Sequence, residues 1–221
     1  GANFPIPGLD PAILEAVDRP RLSLFWGARA PTQTLLTMFT LLALRGETPR
    51  LFDGGNRFDG YFVARLARRL TPQPRVVLSR MHLSRAFTCF QLAELIENTS
   101  GAPRASRGVA PRGDRGARGE GPRPEPVEGP LFVLDLLNTF YDESVPLRDA
   151  ERLLTRVIAH LKRLAAIGPV IVGASEPYHP GTGQSLVKER WRLLDQLQVA
   201  ADMAWMLRPP LEETITQPRL F

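Results

Sequence analysis

The sequence predicts an α/β domain built on a predominantly parallel sheet with helices on both faces. Three observations lead there. Strand-like and helix-like segments alternate along most of the chain. The strand-like segments, such as Leu131-Phe132-Val133-Leu134 and Val170-Ile171-Val172, are apolar throughout instead of alternating with polar residues. Unbroken apolar strands belong to sheets covered on both sides, which is the parallel arrangement with crossover helices. Third, 43% apolar and 23% charged residues over 221 positions match an ordinary globular chain with a real core.

The elements follow in order. Residues 21–26 form the first strand, with Leu22, Leu24 and Trp26 on one face. Residues 32–45 form a helix that is apolar nearly all round, hence buried, with Gly46 as its stop. A short strand at 51–53 ends in Gly54-Gly55. An amphipathic helix spans 58–70, with Phe58, Tyr61, Phe62, Leu66 and Leu70 inward and Arg65, Arg68 and Arg69 outward. Residues 75–79 read as strand or helix, and 81–87 as a strand. Thr88 caps a helix running to about Asn98. Residues 131–136 form an apolar strand whose run ends at Asp135. A long helix at 147–167 carries the stripe Leu147, Ala150, Leu154, Val157, Leu161 and Leu164. A buried strand at 170–172, entered through Pro169, a helix at 187–197 and a strand at 202–207 complete the series.

One stretch differs from the rest. Residues 101–130 hold seven Gly, six Pro and six Arg, with Val109 and Val127 as the only large aliphatics. Such a composition buries too little apolar surface to offset chain entropy, so it reads as a disordered, low-complexity insertion. Asp114, Glu120, Glu125 and Glu128 cancel most of its charge, and no aromatic is interleaved for base stacking, which argues against an Arg/Gly-rich RNA-binding segment. The rest of the 1–221 chain, ~190 residues, is the size of a single domain.

Composition also excludes classes. The longest apolar run, at 41–44, falls far short of the ~20 residues that cross a bilayer, so no membrane partner is expected. The start, Gly1-Ala2-Asn3-Phe4, lacks the charged and apolar regions of a targeting segment. Cys89 is the lone cysteine, too few for an internal disulfide or a cysteine-rich metal site, and a reducing cytoplasmic setting is expected. It reads as a buried structural thiol. His82, His160 and His179 have no partners at ligand spacing and read as structural, and Trp26, Trp191 and Trp205 read as core. The formal net charge is +5; Lys and Arg total 28, of which only Lys162 and Lys188 are lysines. That charge permits nucleic-acid binding without requiring it.

Parallel sheets bind ligands beyond the carboxyl ends of their strands. Three segments stand there. Gly27-Ala28-Arg29-Ala30-Pro31-Thr32-Gln33-Thr34 joins the first strand to a helix, the place of a phosphate loop of pattern G-x-x-x-x-G-K-[ST]. Gly27 and Thr34 match; Thr32 replaces the second Gly and Gln33 the Lys, so an ordinary strand-to-helix turn is an equal reading. Asp135, closing an apolar strand, has the Walker B pattern in which a carboxylate holds Mg²⁺. The third segment is Asp53-Gly54-Gly55-Asn56-Arg57-Phe58.

The order of these pieces resembles the RecA/RadA recombinase family, which includes KaiC-like ATPases. The resemblance extends over Ser84-Arg85-Ala86-Phe87-Thr88 leading to Gln91-Leu92, and over Val170-Ile171-Val172-Gly173-Ala174-Ser175, similar to the strand that carries a sensing polar residue. It implies a RecA-like sheet with a degenerate Walker A loop. Gly27, Gln33 and Thr34 would be a vestigial nucleotide site, and Thr34 with Asp135 would hold Mg²⁺ for weak Mg-ATP binding. The family's water-orienting glutamate falls at Gly54 or Gly55, with Asp59 as the one nearby substitute. Of the two segments that bind single strands in the family, residues 138–145 carry Asp142 and Glu143, unfavourable for phosphate. The second, 175–190, offers Tyr178, His179, Lys188 and Arg190; Tyr178 either stacks on a base or is an ordinary exposed aromatic.

The expected function is therefore a non-hydrolysing accessory or scaffold in DNA recombination or repair, with single-stranded DNA and other RecA-like subunits as partners. Two alternatives stay open. One is a divergent DNA-dependent ATPase whose missing cation comes from Arg29 or a neighbouring protomer. The other is a purely protein-binding subunit of the same fold.

Overall fold

The computed structural model describes residues 11–100, 129–177 and 184–207. The expected insertion therefore lies, from 101 to 128, outside the described residues. The strands are β1 (Arg21–Gly27), β2 (Arg50–Asp53), β3 (His82–Arg85), β4 (Leu131–Leu134), β5 (Pro169–Ser175) and β6 (Met203–Met206). They form one sheet in the order β3-β2-β4-β5-β1-β6, and every pairing is parallel. The main helices are α1 (Pro11–Leu14), α2 (Thr32–Leu44), α3 (Gly60–Leu70), α4 (Pro74–Leu78), α5 (Cys89–Glu97), α6 (Leu147–Ala165) and α7 (Gln184–Ala200). This is the two-sided parallel layout the apolar strands called for, and it is consistent with a RecA-like arrangement.

The unbroken apolar runs have a simple cause. Successive strand residues point to opposite faces, and both faces are covered. Leu131 and Val133 of β4, with Val170, Val172 and Ala174 of β5, meet Leu92 and Ile96 of α5, Leu154 and Leu161 of α6 and Leu193 of α7. Their neighbours Phe132, Leu134 and Ile171 enter the other layer, against Leu35, Met38, Phe39 and Leu42 of α2 and Val63 of α3. Phe39 and Phe132 meet edge to face at 5.5 Å between ring centroids, the geometry their ring quadrupoles favour.

Local chemistry sets the boundaries. α2 ends before Gly46, which takes φ +90, a conformation costly for other residues. Residues 75–79, open between strand and helix, fall in α4 with Pro74 at its start, where a missing N–H costs nothing. Thr88 caps α5 as expected, its Oγ1 accepting from the Gln91 N–H. α3 begins at Gly60 because Asp59 caps it, accepting from the Phe62 N–H at 2.8 Å. Two expectations are corrected. Tyr61 is 77% exposed and Val63 and Ala67 are the buried residues of α3, because Tyr61, two positions before Val63, points about 200° round the helix from the face that meets the core. His82 sits exposed on the outer strand β3, so it fills no structural niche in the core. Trp205 does pack inward, stacked on Phe25 at 4.6 Å and 7° between planes, and Trp26 and Trp191 pack at the edge of the other layer.

Among the described residues, no helix is long and apolar enough to cross a membrane.

Candidate functional site

Three backbone hydrogen bonds draw the carboxyl ends of four neighbouring strands together. The Gly54 N–H donates to the Leu134 carbonyl, the Leu136 N–H to Gly173, and the Glu176 N–H to Gly27, each at 2.9 Å. Above them lies a cleft of about 520 Å³, lined among others by Arg29, Thr32, Arg57, Asn138, Asp142 and Glu176. This is where an open parallel sheet places its ligands.

Two buried carboxylates hold the lining residues Arg57 and Ser175 in place. Asp53 ends β2 fully buried, and its oxygens accept from the backbone N–H groups of Arg57 (2.8 Å) and Phe58 (3.0 Å). The Arg85 Nε lies 3.5 Å from Asp53 Oδ2 and supplies its counter-charge. Asp53 thus folds the turn Gly54–Phe58 back on itself. Asp135 follows β4 at φ +48, the left-handed region that aspartate tolerates better than most residues. Its Oδ1 accepts from the Ser175 Oγ (2.9 Å) and N–H (3.2 Å), and its Oδ2 faces the Arg57 Nε at 3.2 Å. Burial pushes the Asp135 carboxyl above its ordinary pKa, against the opposing pull of Ser175 and Arg57. Ser175, in the segment likened to the sensor strand, is thus the residue that grips Asp135.

A side chain where a water-orienting glutamate would stand would force its neighbours to shift. A Cβ at Gly55 would lie 2.7 Å from the Asp135 Cβ, and one at Gly54 2.6 Å from Leu92 Cδ2. Asp59 is not a substitute, because it is exposed and its carboxylate is the cap of α3.

The phosphate-loop segment keeps its place but not its chemistry. Gly27 is required on packing grounds, since a Cβ there would collide with the Leu207 carbonyl. α2 starts at Thr32 with Pro31 before it and no side-chain cap. Pro31 has no N–H to offer, and the Thr32 N–H turns inward onto the Ala30 carbonyl at 2.7 Å. Gln33 is exposed and Thr34 half-buried, and the cleft is lined by Thr32 instead.

Mg²⁺ held by Thr34 and Asp135 does not fit this arrangement. Both Asp135 oxygens are engaged, and a guanidinium already stands against the carboxylate that would face the ion. No group of three or more His, Cys, Asp or Glu able to hold a metal occurs among the described residues.

Of the proposed single-strand residues, only Arg190 has a described side chain. Tyr178 and the side chain of Lys188 lie outside the described residues. Arg190 is 8% exposed, and its guanidinium donates to the Phe140 and Val145 carbonyls at 2.8 Å each. It fastens the segment after β4 to α7 and presents no charge for a phosphate backbone. In that segment Tyr141 is buried, its hydroxyl donating to the Ser175 carbonyl at 2.8 Å. Asp142 accepts from the Ser144 N–H, which holds its carboxyl below the usual range and so charged. Cys89 is buried, and desolvation raises its thiol pKa, which makes it unreactive.

Asp53 and Arg57 belong to the third segment placed beyond the strand ends, but the sequence alone assigns no role to either side chain. Their signal was present: an apolar strand ending in Asp, then two glycines, then Arg. It matches no phosphate-binding template.

No known family model matches the sequence, and no curated protein matches it.

Proposed function

We propose that this chain is a non-hydrolysing RecA-like module, acting by binding as an accessory or scaffold in DNA recombination or repair. The observation that carries the non-hydrolysing part is the Arg57–Asp135 contact, 3.2 Å, at the end of the strand where a metal-holding carboxylate would be needed. Phosphoryl transfer draws its acceleration from placed charge: a Lys at the phosphates, Mg²⁺, and a group that orients water. Gln33 is uncharged, Asp135 is occupied, and a carboxylate at Gly54 or Gly55 would force its neighbours to shift. The DNA part rests on the order of the sequence segments and on the basic balance of the chain, in a cytoplasmic setting.

Purified protein should release no phosphate from ATP above a Thr34→Ala, Asp135→Ala control, with or without single-stranded DNA. Activity that disappears in the control would promote the divergent ATPase. Retention on single-stranded DNA should be weak and fall steeply with salt, because phosphate contacts release counterions. Tyr178→Ala with Lys188→Ala should lower it. Tight binding that survives high salt would overturn that interface.

A second reading, a protein-binding subunit, is favoured by both outer strands. Leu83 on β3 and the adjacent Phe87 and Phe90 are exposed at one side, Met203 and Met206 on β6 at the other. Exposed apolar groups at a sheet edge invite pairing with another chain. Under this reading Phe87→Ser with Phe90→Ser abolishes association in sedimentation experiments while leaving the melting transition in place.

A further inference from the structure

The geometry points to the cleft as a metal-free site for a small phosphate ester, with Arg57 supplying the positive charge that a divalent cation would bring. This deepens the non-hydrolysing reading and rests on it. Arg57 contacts Asp135 through Nε alone, and its side chain is about half exposed. The two terminal nitrogens of the fork are left without a protein partner among the described residues, and Arg57 is one of the residues that line the cleft. A guanidinium anchored at Nε by a buried carboxylate is held in one orientation, which reduces the ordering cost of binding an oxyanion with its other nitrogens.

The rest of the lining fits the same ligand. Arg29 brings a second guanidinium from the β1–α2 connection; the Thr32 hydroxyl, which donates to the Ala30 carbonyl at 3.3 Å, lies beside it in the lining. Pro31 lacks an N–H and the Thr32 N–H is taken by the Ala30 carbonyl, so two backbone donors of the loop are lost and side chains must carry more of the recognition. Asp142 and Glu176 line the same space. Two carboxylates beside two guanidinia would repel a bare polyanion. A ligand that joins phosphate to hydroxyl or amino donors satisfies both kinds of group. A cleft of about 520 Å³ is within the range that small-molecule sites occupy. The chemistry is thus a phosphate ester rather than free phosphate.

The test is titration calorimetry and thermal melting of the full chain in EDTA, with ADP and inorganic pyrophosphate as probes. ADP should bind saturably without metal, more tightly than pyrophosphate, and excess MgCl₂ should not tighten it. Arg57→Gln should weaken ADP about tenfold, the loss of one charge-assisted contact. Arg29→Gln, outside the buried ion pair and neutral for folding, should weaken it severalfold. Asp135→Asn should weaken it severalfold, because it removes the carboxylate that holds the Arg57 guanidinium in one orientation. No binding in EDTA, a requirement for Mg²⁺, indifference to both arginine variants, or tighter binding in Asp135→Asn would each overturn the site. Pyrophosphate binding as tightly as ADP would overturn the ester. Phosphate release from ATP would sink the non-hydrolysing reading alone, and failure of ADP to bind in EDTA would sink this site alone.

Discussion

Arg57 crosses from the turn after β2 to the end of the neighbouring strand and sets its Nε 3.2 Å from Asp135 Oδ2. Two glycines make the crossing possible, since any Cβ at Gly55 would occupy the space over Asp135. The pair has the composition of a salt bridge, yet its acid is fully buried and its base half exposed. Desolvation outweighs attraction at the acid, and the carboxyl pKa rises.

That direction has a consequence for stability. A carboxyl whose pKa is higher in the fold than in the unfolded chain binds its proton more tightly when folded. Its favourable contribution is complete below the ordinary carboxylate pKa and is lost as pH rises through the raised value. The stability of wild type relative to Asp135→Asn should therefore fall as pH climbs through that interval and then level off. Melting curves of both proteins across the acid range check this; a flat difference, or one that grows with pH, contradicts it.

Gly55→Ala should cost about 1–3 kcal/mol, the usual range for overpacking a site that cannot relax. The atoms in the way, Asp135 Cβ at 2.7 Å and Oδ2 at 2.9 Å, belong to a short side chain held from both ends. Gly55→Glu, which restores the missing carboxylate in sequence, should destabilise the protein and release no phosphate from ATP. Denaturant titration and a phosphate assay read the two halves separately.

Arg190→Met keeps the length of the side chain and removes the donors to Phe140 and Val145. Leaving two buried carbonyls unpaired should cost about 3 kcal/mol. DNA retention, where present, should then fall only in proportion to the folded fraction. A change in stability within about 0.5 kcal/mol would place Arg190 among ordinary surface positions.

Thr88→Ala should cost about 1 kcal/mol, the typical loss of an N-cap. Thr88 Oγ1 accepts from the Gln91 N–H at 3.1 Å, while Gln91 Oε1 accepts from the Phe87 N–H at 2.9 Å. The two side chains act on one turn, so Thr88→Ala and Gln91→Ala should be non-additive in a double-mutant cycle.

The fold was legible where burial acts on both sides of an element. β4 and β5 read as covered strands because every residue of Leu131–Leu134 is buried, and α6 showed its stripe plainly. Legibility failed where exposure depends on neighbours in space. The strands at 81–87 and 202–207 gave no sign of being outermost, yet Leu83, Met203 and Met206 are exposed because their strands have a partner on one side only. The strand order itself follows from packing between distant segments and has no local signature. In the site, Asp135 and the cleft-lining loop were found by their position after apolar strands. Arg57 had no legible role because that role depends on a contact 78 residues away. Arg190 was misread because an arginine in a polar segment gives no sign of being buried against carbonyls.

β1 stands between β5 and β6, pairing Arg21 with Pro169 and Ser23 with Met203. Leu22 is tied by its N–H to the Asp202 carboxylate, 180 residues away, and by its carbonyl to the Asp202 N–H. A ribosome must therefore make β5, which starts at Pro169, 148 residues after Arg21, before β1 can find even the nearer of its two neighbours. During that interval β2 and β3 can pair with each other, but β1 has no partner and its apolar faces stay open. Folding dominated by such distant pairings is slow, and the unpaired strand is the segment through which nascent chains associate. The half-made protein, more than the finished one, is where this architecture is open to association with other chains.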